Sequence, residues 1–189
     1  YGTPNYYDNI LIELKKLKSN NIDIHYVVGN HDYWDFGFLA KKCGINIHKS
    51  DFIFNIKNKK ILITHGDGLL SNDSLYRFMK RIIRSYIFIF LVRLIPSFIM
   101  TFLAKKISNT DSKFNKSQHL PQHCKKELEN YAINEIKNNN IHTVLMGHYH
   151  QLGIKPINDG YFIHLGDWIN EFTVTTLSKS GVWKQESWS

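Results

Sequence analysis

Thr143-Val144-Leu145-Met146-Gly147-His148-Tyr149-His150 is the stretch whose reading decides the fold. Four apolar or β-branched residues make a short strand, and Gly147 stops it. Two histidines follow, two positions apart. On a continuing strand their side chains would point to opposite faces. Both reach one site only from a turn, which Gly147 permits. The same arrangement occurs twice earlier. Ile24-His25-Tyr26-Val27-Val28 runs into Gly29-Asn30-His31-Asp32, and Ile61-Leu62-Ile63-Thr64 runs into His65-Gly66-Asp67-Gly68. Ligands of α/β sheets gather outside the carboxyl ends of strands, so three polar clusters at three such ends point to one shared site.

The residue types choose the chemistry. Imidazole suits Mn, Fe and Zn, while an Asn carbonyl oxygen is a harder donor that belongs beside carboxylates. In a loop, His148 and His150 can serve two neighbouring metals, one each. Taken singly, each cluster has an ordinary reading: Asn30-His31-Asp32 as a helix-capping turn, His65 as a satisfied buried histidine, His148 and His150 as a surface pair. Three such coincidences at three strand ends are far rarer than one, and the metal reading prevails.

The rest of the 189 residues fits a single α/β domain. A hydrophobic content of 43% supplies a packed core and excludes general disorder. Two cysteines, Cys43 and Cys124, exclude a disulfide framework and a Cys-based zinc site and point to a reducing compartment. Apolar periodicity predicts helices over residues 5–18, 34–42 and 124–138. Strands are expected at 24–28, 52–56, 61–64, 143–146, 154–156, 161–165, 172–177 and 182–184, with a polar turn at 57–60 and a loop at 108–122. Strand–helix units followed by a run of strands predict an α/β sandwich with helices covering the sheets. The chain opens at Tyr1 without an initiator Met and without a signal-peptide pattern, and reads as a piece of a longer protein.

Charge is concentrated in one place. The chain carries 24 Lys+Arg against 16 Asp+Glu, a net +8. Residues 74–110 hold Arg77, Lys80, Arg81, Arg84, Arg93, Lys105 and Lys106 and no acid. This region is also the most apolar, yet its charge-free runs fall short of the roughly 18–20 residues that cross a bilayer. Pro96 is expected to break it into two helices. Basic residues beside Phe, Ile, Leu and Met at helical spacing suit an anionic lipid surface or an amphipathic anionic ligand. The alternative is a helical hairpin packed on the body with a solvated basic face. Nucleic acid is disfavoured because the interleaved residues are mostly aliphatic, whereas strand binding uses aromatic platforms.

Gly29-Asn30-His31-Asp32, His65-Gly66-Asp67-Gly68 and Gly147-His148-Tyr149-His150, in that order, resemble the calcineurin-like metallophosphoesterase superfamily. The resemblance implies a two-sheet β-sandwich flanked by helices that holds two divalent metal ions, with Mn expected. Carried over position by position, Asn30, His65 and His148 match ligands of the second metal and His150 a ligand of the first. His31, beside Asp32, matches the residue that stabilises the transition state or protonates the leaving group. The family's Asp-x-His and Gly-Asp-x-x-Asp motifs have no counterpart before Asn30. The chain is therefore expected to be an N-terminally truncated part of one domain spanning 1–189. It would lack on the order of 50 residues of a domain of roughly 240 and have little or no activity alone.

His65-Gly66-Asp67-Gly68-Leu69, the basic apolar insertion at 72–122, and Leu165-Gly166-Asp167-Trp168-Ile169-Asn170 are together similar to bacterial UDP-2,3-diacylglucosamine diphosphatases of lipid A biosynthesis. That similarity implies hydrolysis of a lipid-linked nucleotide to UMP and 2,3-diacylglucosamine 1-phosphate. It also implies a helical lid over the acyl chains and a cytoplasmic protein peripheral on the inner face of the cytoplasmic membrane. Arg77, Arg81 and Lys113 are expected to meet phosphate, and Phe88, Phe90, Ile99 and Phe102 to line the acyl groove. Asp67 and Asp167 are expected in supporting roles, with Trp168-Ile169-Asn170 capping the site. His31 stands where many members of that family carry Arg. It is the general superfamily residue, so a soluble phosphomonoester, phosphodiester or phosphoprotein substrate is the alternative. A non-catalytic scaffold of the same fold is a third reading, opposed by the joint retention of Asn30, His65, His148 and His150.

Overall fold

The computed structural model describes residues 7–30, 32–33, 35–96, 99 and 120–188. The chain divides into two compact units, one of Tyr1–Lys49 and Leu75–Ser117, the other of Ser50–Ser74 and Gln118–Ser189.

The first unit contains α1 (Asp8–Ser19), β1 (His25–Val27), α2 (Phe38–Cys43), β2 (Asn46–His48) and the helices α3 (Ser74–Ile83) and α4 (Tyr86–Arg93), α3 beginning one residue before the unit boundary. β1 and β2 pair in parallel, with His25 opposite Asn46 and Val27 opposite His48. Three observations depart from expectation. β2 is unforeseen, because a three-residue strand carries too little alternation to be read. α2 begins four residues later than predicted. Gly37 takes a left-handed φ of 77°, and the Asp35 carboxylate accepts the N–H groups of Gly37 and Leu39, so the chain turns before it coils. The basic apolar region breaks at Ser85 as well as before Pro96. The Ser85 hydroxyl accepts the Phe88 N–H and restarts the helix as an N-cap.

Each of these helices presents its apolar row outward. On α3, Leu75, Phe78, Met79 and Ile82 follow helical spacing and are 70, 60, 50 and 45% exposed. Ile87, Phe90, Leu91 and Leu94 repeat that spacing along α4 and its end, and are likewise exposed. Among the described residues, no helix is long and apolar enough to cross a membrane.

The second unit is built on a five-stranded sheet of β3 (Phe52–Ile56), β4 (Lys59–Thr64), β5 (Thr143–Met146), β7 (Gly160–Leu165) and β6 (Leu152–Ile157), in that order. β4, β5 and β7 are parallel, and β3 and β6 flank them as antiparallel hairpin partners. The β3–β4 turn is tighter than the four residues predicted. Lys57 and Asn58 alone make it, both at positive φ, the backbone a two-residue hairpin needs. The helix α5 (Gln122–Asn138) covers one face. Its Leu128 and Ala132 are fully buried with Val144 and Met146 of β5 and pack with Leu62 and Phe162. Each large apolar side chain so buried contributes about 1.5–3 kcal/mol. A second antiparallel pair, β8 (Thr173–Leu177) and β9 (Trp183–Ser187), is latched to β7, where Gln185 Nε2 donates to the His164 carbonyl and Thr173 Oγ1 to the Leu165 carbonyl.

Register is what positions the site. Thr64 pairs with Met146, and Met146 with His164. Three parallel strands therefore end level, and their loops leave from one edge of the sheet.

Candidate metal centre

At that edge β4 delivers His65-Gly66-Asp67, β5 delivers Gly147-His148-Tyr149-His150, and β7 delivers Gly166-Asp167. The His65 and His148 rings meet edge to face with centroids 4.9 Å apart. Gly66 makes the approach possible. Its φ is +93°, and a Cβ there would lie 2.9 Å from Cγ of the fully buried Met146. Its N–H donates to Thr64 Oγ1, which turns the chain off the strand.

The histidine turn is made differently from expectation. Gly147 is not the residue with the unusual backbone. His148 and His150 themselves adopt left-handed φ values of 61° and 50°. That conformation costs a non-glycine residue about 1–3 kcal/mol and clusters at functional sites. The turn is braced by the Tyr149 N–H on the Gly147 carbonyl, by Gln151 Nε2 on the Tyr149 carbonyl, and by the Gly166 N–H on the Gln151 carbonyl. Tyr149 packs edge-on against His148, with centroids 4.8 Å apart, and burial pushes its phenol pKa up, so it stays protonated.

His150 Nδ1 lies 3.3 Å from Asp167 Oδ2. Burial alone would raise the Asp167 pKa, but the N–H groups of Asn170, Glu171 and Ile169, donating to Oδ1, outweigh it and hold the carboxyl at about 2. An ionised carboxylate therefore faces His150 Nδ1, a placement that favours the tautomer with its proton on that nitrogen. Trp168 and Ile169, in the same turn, are 60 and 67% exposed.

The remaining predicted residues belong to the first unit. Asn30 follows β1, and the Asp32 Oδ2 accepts the Tyr26 hydroxyl proton at 2.8 Å. Arg77 and Arg81 are on α3. Phe88 is partly buried, while Phe90 and Ile99 are exposed. His31, Lys113 and Phe102 lie outside the described residues. Sequence reasoning misses the aromatic loop after Asp32. Arg84 sits 4.4 Å and Lys49 5.4 Å from the Tyr33 ring centroid, and Arg93 sits 4.9 Å from that of Phe36. Tyr and Phe one and four residues beyond a motif, in a chain that also holds an acid-free basic segment, are the signal the sequence offers.

In donor type and pairing the second unit fits a divalent ion: two imidazoles in contact and a third oriented by a carboxylate. It supplies part of a coordination shell, since among the described residues no three His, Cys, Asp or Glu side chains converge on one point.

A family model described as calcineurin-like phosphoesterase matches residues 2–152. A UDP-2,3-diacylglucosamine hydrolase of Blochmanniella pennsylvanica (strain BPEN) is 30% identical over 153 residues, 79% of this chain and 59% of the relative. One of Histophilus somni (strain 129Pt) is 27% identical over 175 residues, 89% of this chain and 72% of the relative. A solved archaeal phosphodiesterase is 15% identical with a TM-score of 0.47, covering 93% of this chain and 75% of that one. The chain thus spans about three fifths of the Blochmanniella relative's length.

Proposed function

Since the chain belongs to the calcineurin-like phosphoesterase family, whose members use divalent metals, we propose that the whole protein is a dinuclear hydrolase. It cleaves the pyrophosphate of UDP-2,3-diacylglucosamine to UMP and 2,3-diacylglucosamine 1-phosphate. The observation that carries this reading is the level ending of β4, β5 and β7, which sets His65 against His148 and His150 against Asp167 at one sheet edge. The names of the relatives support the substrate.

His65, His148 and His150, with Asn30, are the residues that would hold the ions, manganese by preference. Two such ions supply a water that is nucleophilic at neutral pH and a clamp on the phosphoryl oxygens. The chain's own groups do the rest. Asp167 keeps the His150 ring in the tautomer that frees Nε2. His31, beside Asp32, meets charge on the departing oxygen, and Arg77, Arg81 and Lys113 offset phosphate charge. The outward apolar rows of α3 and α4 support a lipid partner. Isolated exposed leucines need no explanation, but an apolar row on each of two successive helices, interleaved with arginine, supports a partner with acyl chains or a membrane surface. The protein then works peripherally, at the cytoplasmic face of the membrane.

The test is an assay of the whole protein on UDP-2,3-diacylglucosamine in micelles, with manganese and with a chelator. Metal-dependent release of UMP is expected. Turnover of a soluble phosphoester at equal or greater efficiency would instead assign the alternative substrate class.

A further inference from the structure

Away from the sheet edge, His25 Nδ1 and His48 Nε2 lie 2.8 Å apart on the β1–β2 pair, with ring planes only 17° from parallel. The register places His25 opposite Asn46 and Val27 opposite His48, so His25 and His48 project from the same face of the two strands. We infer that His25 and His48 form a two-imidazole site for a borderline transition-metal dication such as zinc, which staples β1 to β2.

In the hydrogen-bonded pair one ring supplies an N–H and the other a lone pair along the same line. A dication in place of that proton takes a lone pair from both. Zinc–nitrogen bonds of about 2.0–2.1 Å at a tetrahedral angle separate the two nitrogens by about 3.3 Å. The rings need to part by roughly half an ångström, a small rotation for one exposed and one half-buried side chain. Burial and the adjacent His25 lower the His48 pKa, which keeps its lone pair available near neutrality. Asp23, two residues before His25, has its carboxylate paired with Lys18 Nζ at 2.8 Å, which holds its pKa low.

Selectivity follows from the donors. Imidazole alone prefers zinc, nickel and copper to manganese or magnesium. The consequence is mechanical. A two-stranded sheet of three-residue strands is marginal by itself. An ion that binds only the paired form stabilises it by mass action, and β1 leads within three residues to Asn30.

The experiment uses the 189-residue chain carrying His65→Asn, His148→Asn and His150→Asn, so that the sheet-edge imidazoles contribute nothing and the outcome is independent of the proposed hydrolase activity. Asn is chosen because it tolerates left-handed φ. Zinc and manganese are titrated separately by calorimetry, with side-chain nitrogen NMR of the histidines. Zinc is expected to bind one to one, shift the His25 and His48 resonances and raise the melting temperature. His25→Ala and His48→Ala should each weaken binding at least tenfold and abolish the thermal gain, with circular dichroism unchanged. His25→Gln and His48→Gln serve if the alanine variants fail to fold. Parental zinc affinity in the single variants, shifts confined to other histidines, or manganese binding as tightly as zinc would each overturn the site.

Discussion

Arg84, the residue after α3, lies over Tyr33, its guanidinium carbon 4.4 Å from the ring centroid, three residues beyond Asn30. Arg93 does the same to Phe36 from α4. The basic helical region and the aromatic loop after the Asn-His-Asp cluster are thereby one packed piece within the first unit. Cation–π contacts of this exposure contribute about 0.5–1 kcal/mol each. The double variant Arg84→Ala/Arg93→Ala should lose about 1–2 kcal/mol in urea unfolding and speed hydrogen exchange at residues 32–37. Arg84→Lys, which keeps the charge but not the guanidinium's contact with the ring, should recover only part of it. Unchanged exchange in that loop would show that these contacts do not hold it.

Gly66 and Gly147 flank equivalent histidines but differ in what they tolerate. A methyl at Gly66 meets Met146 Cγ at 2.9 Å and Sδ at 3.3 Å on a left-handed backbone, and Met146 is fully buried. At Gly147 the nearest atoms, the carbonyl oxygen and Nδ1 of His65, are at an ordinary 3.6 and 3.7 Å. Gly66→Ala is expected to cost on the order of 1–3 kcal/mol, the range for a strained non-glycine residue. Gly147→Ala should stay within about 0.5 kcal/mol. Comparing the two in urea melts checks the claim, and equal losses would contradict it.

How far the sequence reaches is visible in these same residues. Strands 52–56 and 143–146 coincide with β3 and β5, because short β-branched runs bounded by turn residues have one reading. The strand ends at His65 and His148 are legible for the same reason. The left-handed His148 and His150, the late start of α2, the Ser85 cap and the contact of Arg84 with Tyr33 are not. The left-handed histidines and the Arg84 contact depend on backbone φ or on where another segment lies, and the start of α2 and the Ser85 cap on single side-chain bonds to nearby N–H groups; none leaves a periodic trace. Asp167 is an intermediate case. Its Gly-Asp-Trp setting marks it as a supporting residue, but only the register that sets Met146 of β5 opposite His164 of β7 puts it against His150.

His164 gives the clearest pH dependence. Its Nδ1 is buried and makes no hydrogen bond among the described residues, with the Phe162 ring 4.4 Å away. Burial, and secondarily Lys125, lowers its pKa from 6.5 to about 4. Between those values the unfolded chain binds a proton that the folded chain refuses, so unfolding free energy falls as pH drops from about 6.5 to about 4 and levels off below. The full effect is of order 3 kcal/mol. His164→Leu removes both the unpaired nitrogen and the titration. It should be neutral or stabilising at pH 7 and flatten the profile between pH 4 and 6.5 in urea melts. A variant that keeps the parental slope would place the acid sensitivity elsewhere.

Asp167 and His150 permit a test that needs no substrate. Three backbone N–H groups on Oδ1 leave Oδ2 to face His150 Nδ1. In Asp167→Asn the amide oxygen can satisfy those donors, so the turn survives. The group facing the histidine then becomes an NH2 donor, and the ring gains by presenting its lone pair at Nδ1 and its proton at Nε2. The tautomer reverses. Nitrogen chemical shifts of His150 in the 189-residue chain should report that reversal directly. In the whole protein the variant should lose metal affinity about 10–100-fold, the usual cost of removing a carboxylate behind a ligating imidazole. An unreversed tautomer, or full metal content by elemental analysis at limiting metal, would mean that Asp167 serves the turn alone.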